Sequence, residues 1–144
     1  MKKPGKSLPD TNTIIRYLVR DDEPLYLKAK DFFDKVKTGS VKAVIIESVI
    51  AECIYVLSKI YKVPRNEAAA SLIDILHYKG IANHDRKELI QALALFSENS
   101  IDIVDCILCI KSAGDEVCLF SFDDQLNKIS ELRANPKLRE TNNE

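Results

Sequence analysis

Apolar positions along the chain alternate between helical spacing and short unbroken runs. Ile14, Ile15 and Leu18 mark a short helix over 11–20, preceded by a weak strand over 5–9. Asp22-Glu23-Pro24 supplies a capping side chain and a first-turn proline for a second helix. Leu25, Ala29, Phe32, Phe33 and Val36 then repeat at helical spacing, and Gly39 closes that helix. Residues 41–46, Val-Lys-Ala-Val-Ile-Ile, form a β-rich run, and helix returns over 48–61. Pro64 opens a helix through Leu72, Ile73 and Leu76 to Gly80, with a very short strand at Ile81-Ala82 behind it. Asp85-x-x-Glu88 resembles a capping box, and Leu89, Leu93 and Phe96 mark the buried stripe that follows. Residues 102–113 are nearly apolar all round, which predicts a central helix. Residues 117–122 are the clearest strand, an unbroken apolar run of the kind buried in parallel sheets. A last helix covers 123–132, and the polar stretch 133–144 reads as a disordered tail.

Strands alternating with helices predict an α/β protein: three α/β/α layers around a central, mostly parallel sheet of four to five short strands. The 144 residues fit one domain, over 1–132, with enough length to bury a core. In such sheets ligands collect beyond the carboxyl ends of the strands. No apolar run reaches the roughly 20 residues that cross a bilayer. The basic start, Met1 to Lys6, leads into no apolar signal segment, so a cytoplasmic protein without membrane contact is expected.

Four carboxylates interrupt the apolar pattern. Asp10 and Asp123 follow strand-like runs, while Glu52 and Asp105 sit inside helical apolar runs. A buried carboxylate with no partner is costly. No Lys or Arg stands at matching places, and the simplest shared partner is a hard divalent cation. Asp10 and Asp123 also suit the simpler role of helix N-cap, a role that fits Glu52 and Asp105 poorly. Carboxylates gathered around Mg2+ or Mn2+ can activate water and stabilise charge on a phosphoryl oxygen. With no P-loop, no G-x-G-x-x-G and no G-x-S-x-G, phosphodiester hydrolysis leads.

Composition trims the alternatives. Apolar residues make up 46% and charged residues 30%, a soluble mix. A net charge of −1 argues against gripping nucleic acid by phosphate contacts alone, but leaves room for metal ions that meet the phosphate. The lysine clusters, and the group Lys59, Lys62 and Arg65, read mostly as solvated helix faces. Cys53, Cys106, Cys109 and Cys118 all read as small core residues, because Cys106-x-x-Cys109 lacks two further zinc ligands. His77 and His84 are isolated and read as surface or helix-end residues rather than ligands.

Taken in order, the acids resemble the motifs of the PIN-domain ribonucleases, most closely the VapC-type toxins. Asp10-Thr11-Asn12 is similar to that family's D-T-N, and Ala51-Glu52 through Leu57 to its A-E-x-x-x-x-L helix. Asp102 to Leu108 resembles D-F-A-D-A-L-I, and Ser121-Phe122-Asp123 resembles T-F-D. The resemblance covers roughly residues 7–132. It implies that Asp10, Glu52, Asp105 and Asp123 hold Mg2+ or Mn2+, with Asn12 and Ser121 in support. Asp102 and Asp124 are candidates for an outer ring, with capping or solvation as the simpler reading. It also implies cleavage of single-stranded or loop RNA (tRNA, rRNA or mRNA), a homodimer, and a cognate VapB-type antitoxin. The chain departs from the pattern at Gly5-Lys6-Ser7-Leu8-Pro9, less apolar than the family's first strand, and at Ile103, which replaces an aromatic.

Two other functions compete. A catalytically silent module of the same fold would bind RNA or protein, and its mark would be a missing acid. A haloacid-dehalogenase-type phosphatase needs a second Asp two positions after the first, where this chain has Asn12.

Overall fold

The structure is a computed structural model that describes residues 5–114 and 116–134. The helices are α1 (Thr11–Val19), α2 (Glu23–Thr38), α3 (Glu47–Tyr55), α4 (Arg65–Leu76), α5 (Arg86–Glu98), α6 (Ile103–Lys111) and α7 (Asp124–Ala134). The α3 helix continues directly into one π-helical turn, Val56–Ile60. Arg133 and Ala134, expected in a tail, extend α7. The rest of that expected tail, 135–144, lies outside the described residues.

Local chemistry sets the first two helices. Asp10 caps α1 by accepting the Thr13 N–H at 2.9 Å, and Asp22 caps α2 by accepting the Leu25 N–H at 3.1 Å. Gly39 ends α2 in the left-handed region at φ 87°, where its N–H reaches the Val36 carbonyl. The capping box expected at Asp85 does not form. The Asp85 side chain makes no cap bond and takes hydrogen bonds from Asn83 and Lys111 instead.

The expected central sheet is absent. Helix makes up 65% of the described residues and no strand forms among them. Two isolated parallel bridges stand in its place, Ser7 with Ala43 and Ala43 with Ile81. The first rests on Ser7 N to Lys42 O at 2.8 Å and Val44 N to Ser7 O at 2.9 Å. The second rests on Ala43 N to Gly80 O at 2.9 Å and Ala82 N to Ala43 O at 2.8 Å. Each ladder stops for a visible reason. Pro9 has no N–H to carry the first one on. In the second, the Asn83 side chain takes the next rung: Ile45 N–H donates to its Oδ1 at 2.9 Å, and its Nδ2 donates to Ile45 O at 2.7 Å. The run 117–122 pairs with nothing and stands open, with Phe120 86% and Phe122 93% exposed.

A continuous apolar core still forms, around Ile14, Phe33, Ile45, Ile50, Leu72 and Leu93. Cys53, Cys106 and Cys109 belong to it, as expected, but Cys118 is exposed because its run never joined a sheet. Packing passes from α2 to α1, from α1 to α3, from α3 to α6 and from α6 to α7, with α4 and α5 paired behind α6. Among the described residues no helix is long and apolar enough to cross a membrane.

Arg65 departs from the solvated-face reading. Its guanidinium lies 3.6 Å from the Phe96 ring centre. It also donates to the carbonyls of Phe96, Asn99 and Ile101 at 3.0, 2.7 and 2.6 Å. One side chain thus ties the last turn of α5 to the segment that leads into α6. Arg65→Ala is expected to cost about 3 kcal/mol, since several charge-assisted bonds and a stacked ring contact are lost together. Urea unfolding measures it. Arg65→Lys should recover only part, because an ammonium cannot span the planar fork of acceptors. Unchanged unfolding of the alanine variant would show that the three bonds carry no stability.

Candidate acidic site

The four acids ride on α1, α3, α6 and α7, helices that pack as successive neighbours. None of the acids is buried; among the described residues the core holds no charged or polar side chain. Glu52 is exposed, and Asp105 is half-buried. The apolar runs around them had implied deeper burial.

Asp10 and Asp123 both serve as N-caps, yet neither is used up by that role. Asp10 accepts the Thr13 N–H and the Thr13 hydroxyl, at 2.9 and 2.7 Å, and both bonds fall on Oδ1. These bonds hold its carboxyl below the ordinary carboxylate value. Asp123 accepts the Leu126 N–H on Oδ1 at 3.0 Å, and its own N–H donates to the Ser121 hydroxyl at 3.0 Å. In each, Oδ2 makes no hydrogen bond within the described residues. Ser121 therefore shapes the turn that presents Asp123, and its carbonyl also accepts from Asn127 at 2.9 Å.

Asp105 shifts in the opposite direction to Asp10. Burial raises its carboxyl above the ordinary value, and the negative charges of Asp102 and Asp123 raise it further. Asp102 occupies the N-cap position of α6 but makes no cap bond, so its exposed carboxylate adds to the repulsion. Asp124 sits exposed in the first turn of α7. The other half of the acid set meets at Cys53. Burial first, then the carboxylates of Glu52 and Asp10, push that thiol up to about 12. The electrostatics therefore fall into two groups: Asp10 and Glu52 beside Cys53, and Asp102, Asp105 and Asp123 around the start of α6.

Among the described residues no three His, Cys, Asp or Glu side chains stand close enough to hold a metal ion. The donor chemistry nonetheless fits a hard divalent cation. The donors are all carboxylates, and no Lys or Arg forms an ion pair with Glu52, Asp102, Asp105 or Asp123 among the described residues. The basic side chain of α6, Lys111, is engaged at the far end with Glu47 and Asp85.

Two hollows flank the acids. Asn12, Thr13, Arg16 and Lys28 line a small pocket of about 240 Å3 between α1 and α2. A larger groove of about 650 Å3 lies between α3 and α6, with Asp102 and Asp105 in its lining. Two of its other polar residues, Ser58 and Lys59, stand on the π turn; sequence reasoning passed over Ser58 and read Lys59 as a solvated helix face. A π turn leaves no mark in apolar spacing.

A family profile described as PIN domain matches residues 7–132. No curated protein matches the chain, and no solved structure does.

Proposed function

Since this chain belongs to the PIN-domain family, whose members are generally nucleases that use divalent metal ions, we propose that it is a metal-dependent endoribonuclease. The supporting observation is Asp105, a carboxyl made harder to ionise by burial and by two acidic neighbours, with no basic partner. A site of this kind lowers its own repulsion by taking up a cation. Asp10, Glu52, Asp105 and Asp123 would hold Mg2+ or Mn2+, which when bound supplies an activated water and stabilises charge on the phosphate. The protein's part is positional. Thr13 fixes the Asp10 carboxylate through Oδ1, leaving Oδ2 for a ligand. The Leu126 N–H does the same for Asp123, while the Ser121 hydroxyl accepts the Asp123 N–H and fixes its backbone. Asn12, exposed on the first turn of α1, can donate an amide hydrogen to a phosphate oxygen.

The order and spacing of the four acid motifs support the narrower reading: a VapC-type toxin acting in the cytoplasm on tRNA, rRNA or mRNA. A homodimer and a VapB-type antitoxin that covers the acids follow from it. The loose arrangement of the acids favours one alternative, a catalytically silent module that only binds RNA or protein. Incubation of the purified protein with single-stranded RNA separates the two. Cleavage is expected with Mg2+ or Mn2+, and its loss on adding EDTA. RNA retained intact in every metal establishes the silent module, and cleavage that persists in EDTA rules out the metal role.

A further inference from the structure

The groove beside Asp105 has features that the acids alone do not explain. Tyr55, Ser58 and Lys59 line it from α3 and the π turn, Asp102 and Asp105 from α6, and Phe96 from α5. Its volume, about 650 Å3, falls in the range typical of small-ligand clefts. The Ser58 hydroxyl is shielded from solvent and has no hydrogen-bond partner, an unfavourable state that a ligand's polar edge would relieve. The π turn puts it there: Tyr61 N–H bonds back to Val56 O at 3.2 Å, and such widened turns gather at functional sites. Tyr55 is 61% exposed at the same groove. Lys59 is exposed and forms no ion pair or hydrogen bond among the described residues. Phe96 is already covered by the Arg65 guanidinium, so the α5 side is rigid and Arg65 is not available to a ligand.

A flat open ring, a waiting hydroxyl and an unpaired ammonium ask for one kind of ligand. It is planar, carries a polar edge and is attached to an anion. We propose that the groove receives one unstacked base of a single-stranded RNA. The base stacks on Tyr55, its edge hydrogen-bonds Ser58, and its neighbouring phosphate meets Lys59. This rests on the endoribonuclease reading, and it gives that site a base-sized register next to Asp105. A basic peptide would compete for Asp102 and Asp105. Once a cation neutralises those acids, the charges left in the groove are those of Lys59 and the already engaged Arg65, which suits a polyanion.

Binding of a fluorescein-labelled single-stranded RNA of mixed sequence, followed by anisotropy with Ca2+ supplied to neutralise Asp102 and Asp105, tests the proposal separately from cleavage, which is read with Mg2+. Each position of the RNA is replaced in turn by an abasic nucleotide. Wild-type protein is expected to lose about tenfold or more in affinity at one position. In Tyr55→Ala that penalty should vanish, while Tyr55→Phe should keep it. Tyr55 is exposed, and circular dichroism confirms that its variants fold. A penalty that survives in Tyr55→Ala overturns the subsite, as does equal binding of intact and abasic RNAs. Protein that shows the coupled loss but never cleaves refutes the nuclease reading alone. Protein that cleaves with metal but lacks the coupling refutes the subsite alone. No RNA binding at all refutes both.

Discussion

Asp105→Asn is expected to abolish metal-dependent RNA cleavage while making the metal-free protein melt at a higher temperature. The two effects share one cause. Burial, Asp102 and Asp123 hold the Asp105 carboxyl above its ordinary value of 3.8, so the fold favours the protonated form. A raised acid contributes stability that is present below the unfolded value and is lost as pH rises through the folded value. At neutral pH the ionised carboxylate is therefore unfavourable in the metal-free fold, and asparagine removes that effect. Loss of a ligand should lower activity by about 100-fold or more, since disturbing even the groups behind a ligand costs 10–100-fold. Thermal melts with EDTA and with Mg2+, each at pH 4 and pH 7, read the stability side. Wild type should gain on adding Mg2+ and Asp105→Asn should not. The excess stability of the variant in EDTA should shrink at pH 4, where wild-type Asp105 takes up its proton. Equal cleavage by the two proteins would remove Asp105 from the mechanism. Asn is the suitable replacement at Asp10 as well, because it keeps the α1 cap that alanine would lose at about 1 kcal/mol.

The helices were legible because their signals are local. Asp22-Glu23-Pro24 and Gly39 bound α2 as their chemistry requires, and Asp10 caps α1. The sheet was misread because an apolar run records propensity, not partnership. Residues 117–122 have the composition of a buried strand, yet Phe120 and Phe122 stand open to solvent. At Ile45 the decisive event is a side chain, Asn83, taking the place of a backbone rung, which no pattern of apolar residues announces.

The acids were legible as a set, but not in their burial. Helical rotation explains the difference. Cys53 and Ile54 turn inward from α3 while Glu52 and Tyr55 turn out. On α6, Cys106 and Ile107 are buried while Val104 and Leu108 are exposed, so Asp105 borders an outer face that is itself apolar. An acid inside an apolar run therefore does not have to be an acid inside a core. Tyr55, Val104 and Leu108 broke the usual rule that the outer face of a helix is polar. The groove that Tyr55 and Val104 border is the feature that sequence alone left unread.

Gly80→Ala is expected to be the most damaging single methyl group added to the described part of this fold. An alanine Cβ there would lie 2.2 Å from the Val41 carbonyl oxygen and 2.6 Å from that of Val36. Both contacts are backbone, so no side-chain rotation relieves them. The same residue donates its N–H to Val36 O at 2.8 Å and accepts from Ala43 N–H at 2.9 Å. Gly80 thus ties the end of α2 to Ala43, the residue shared by both β-bridges. Making room for a methyl group separates the chains and breaks these bonds together, at a cost of about 4 kcal/mol or more. Against a total stability of about 5–15 kcal/mol, that leaves a protein largely unfolded on warming. Two other glycines calibrate the effect. Gly39→Ala at φ +87° should cost about 1 kcal/mol, since its close neighbours are methylenes of the Lys79 side chain, which can move. Gly114→Ala meets nothing within 4 Å and should be close to neutral. Urea unfolding of the three variants is expected to give that order. Should Gly80→Ala unfold like Gly114→Ala, the close approach of α2 to the bridging segments is not what holds this fold together.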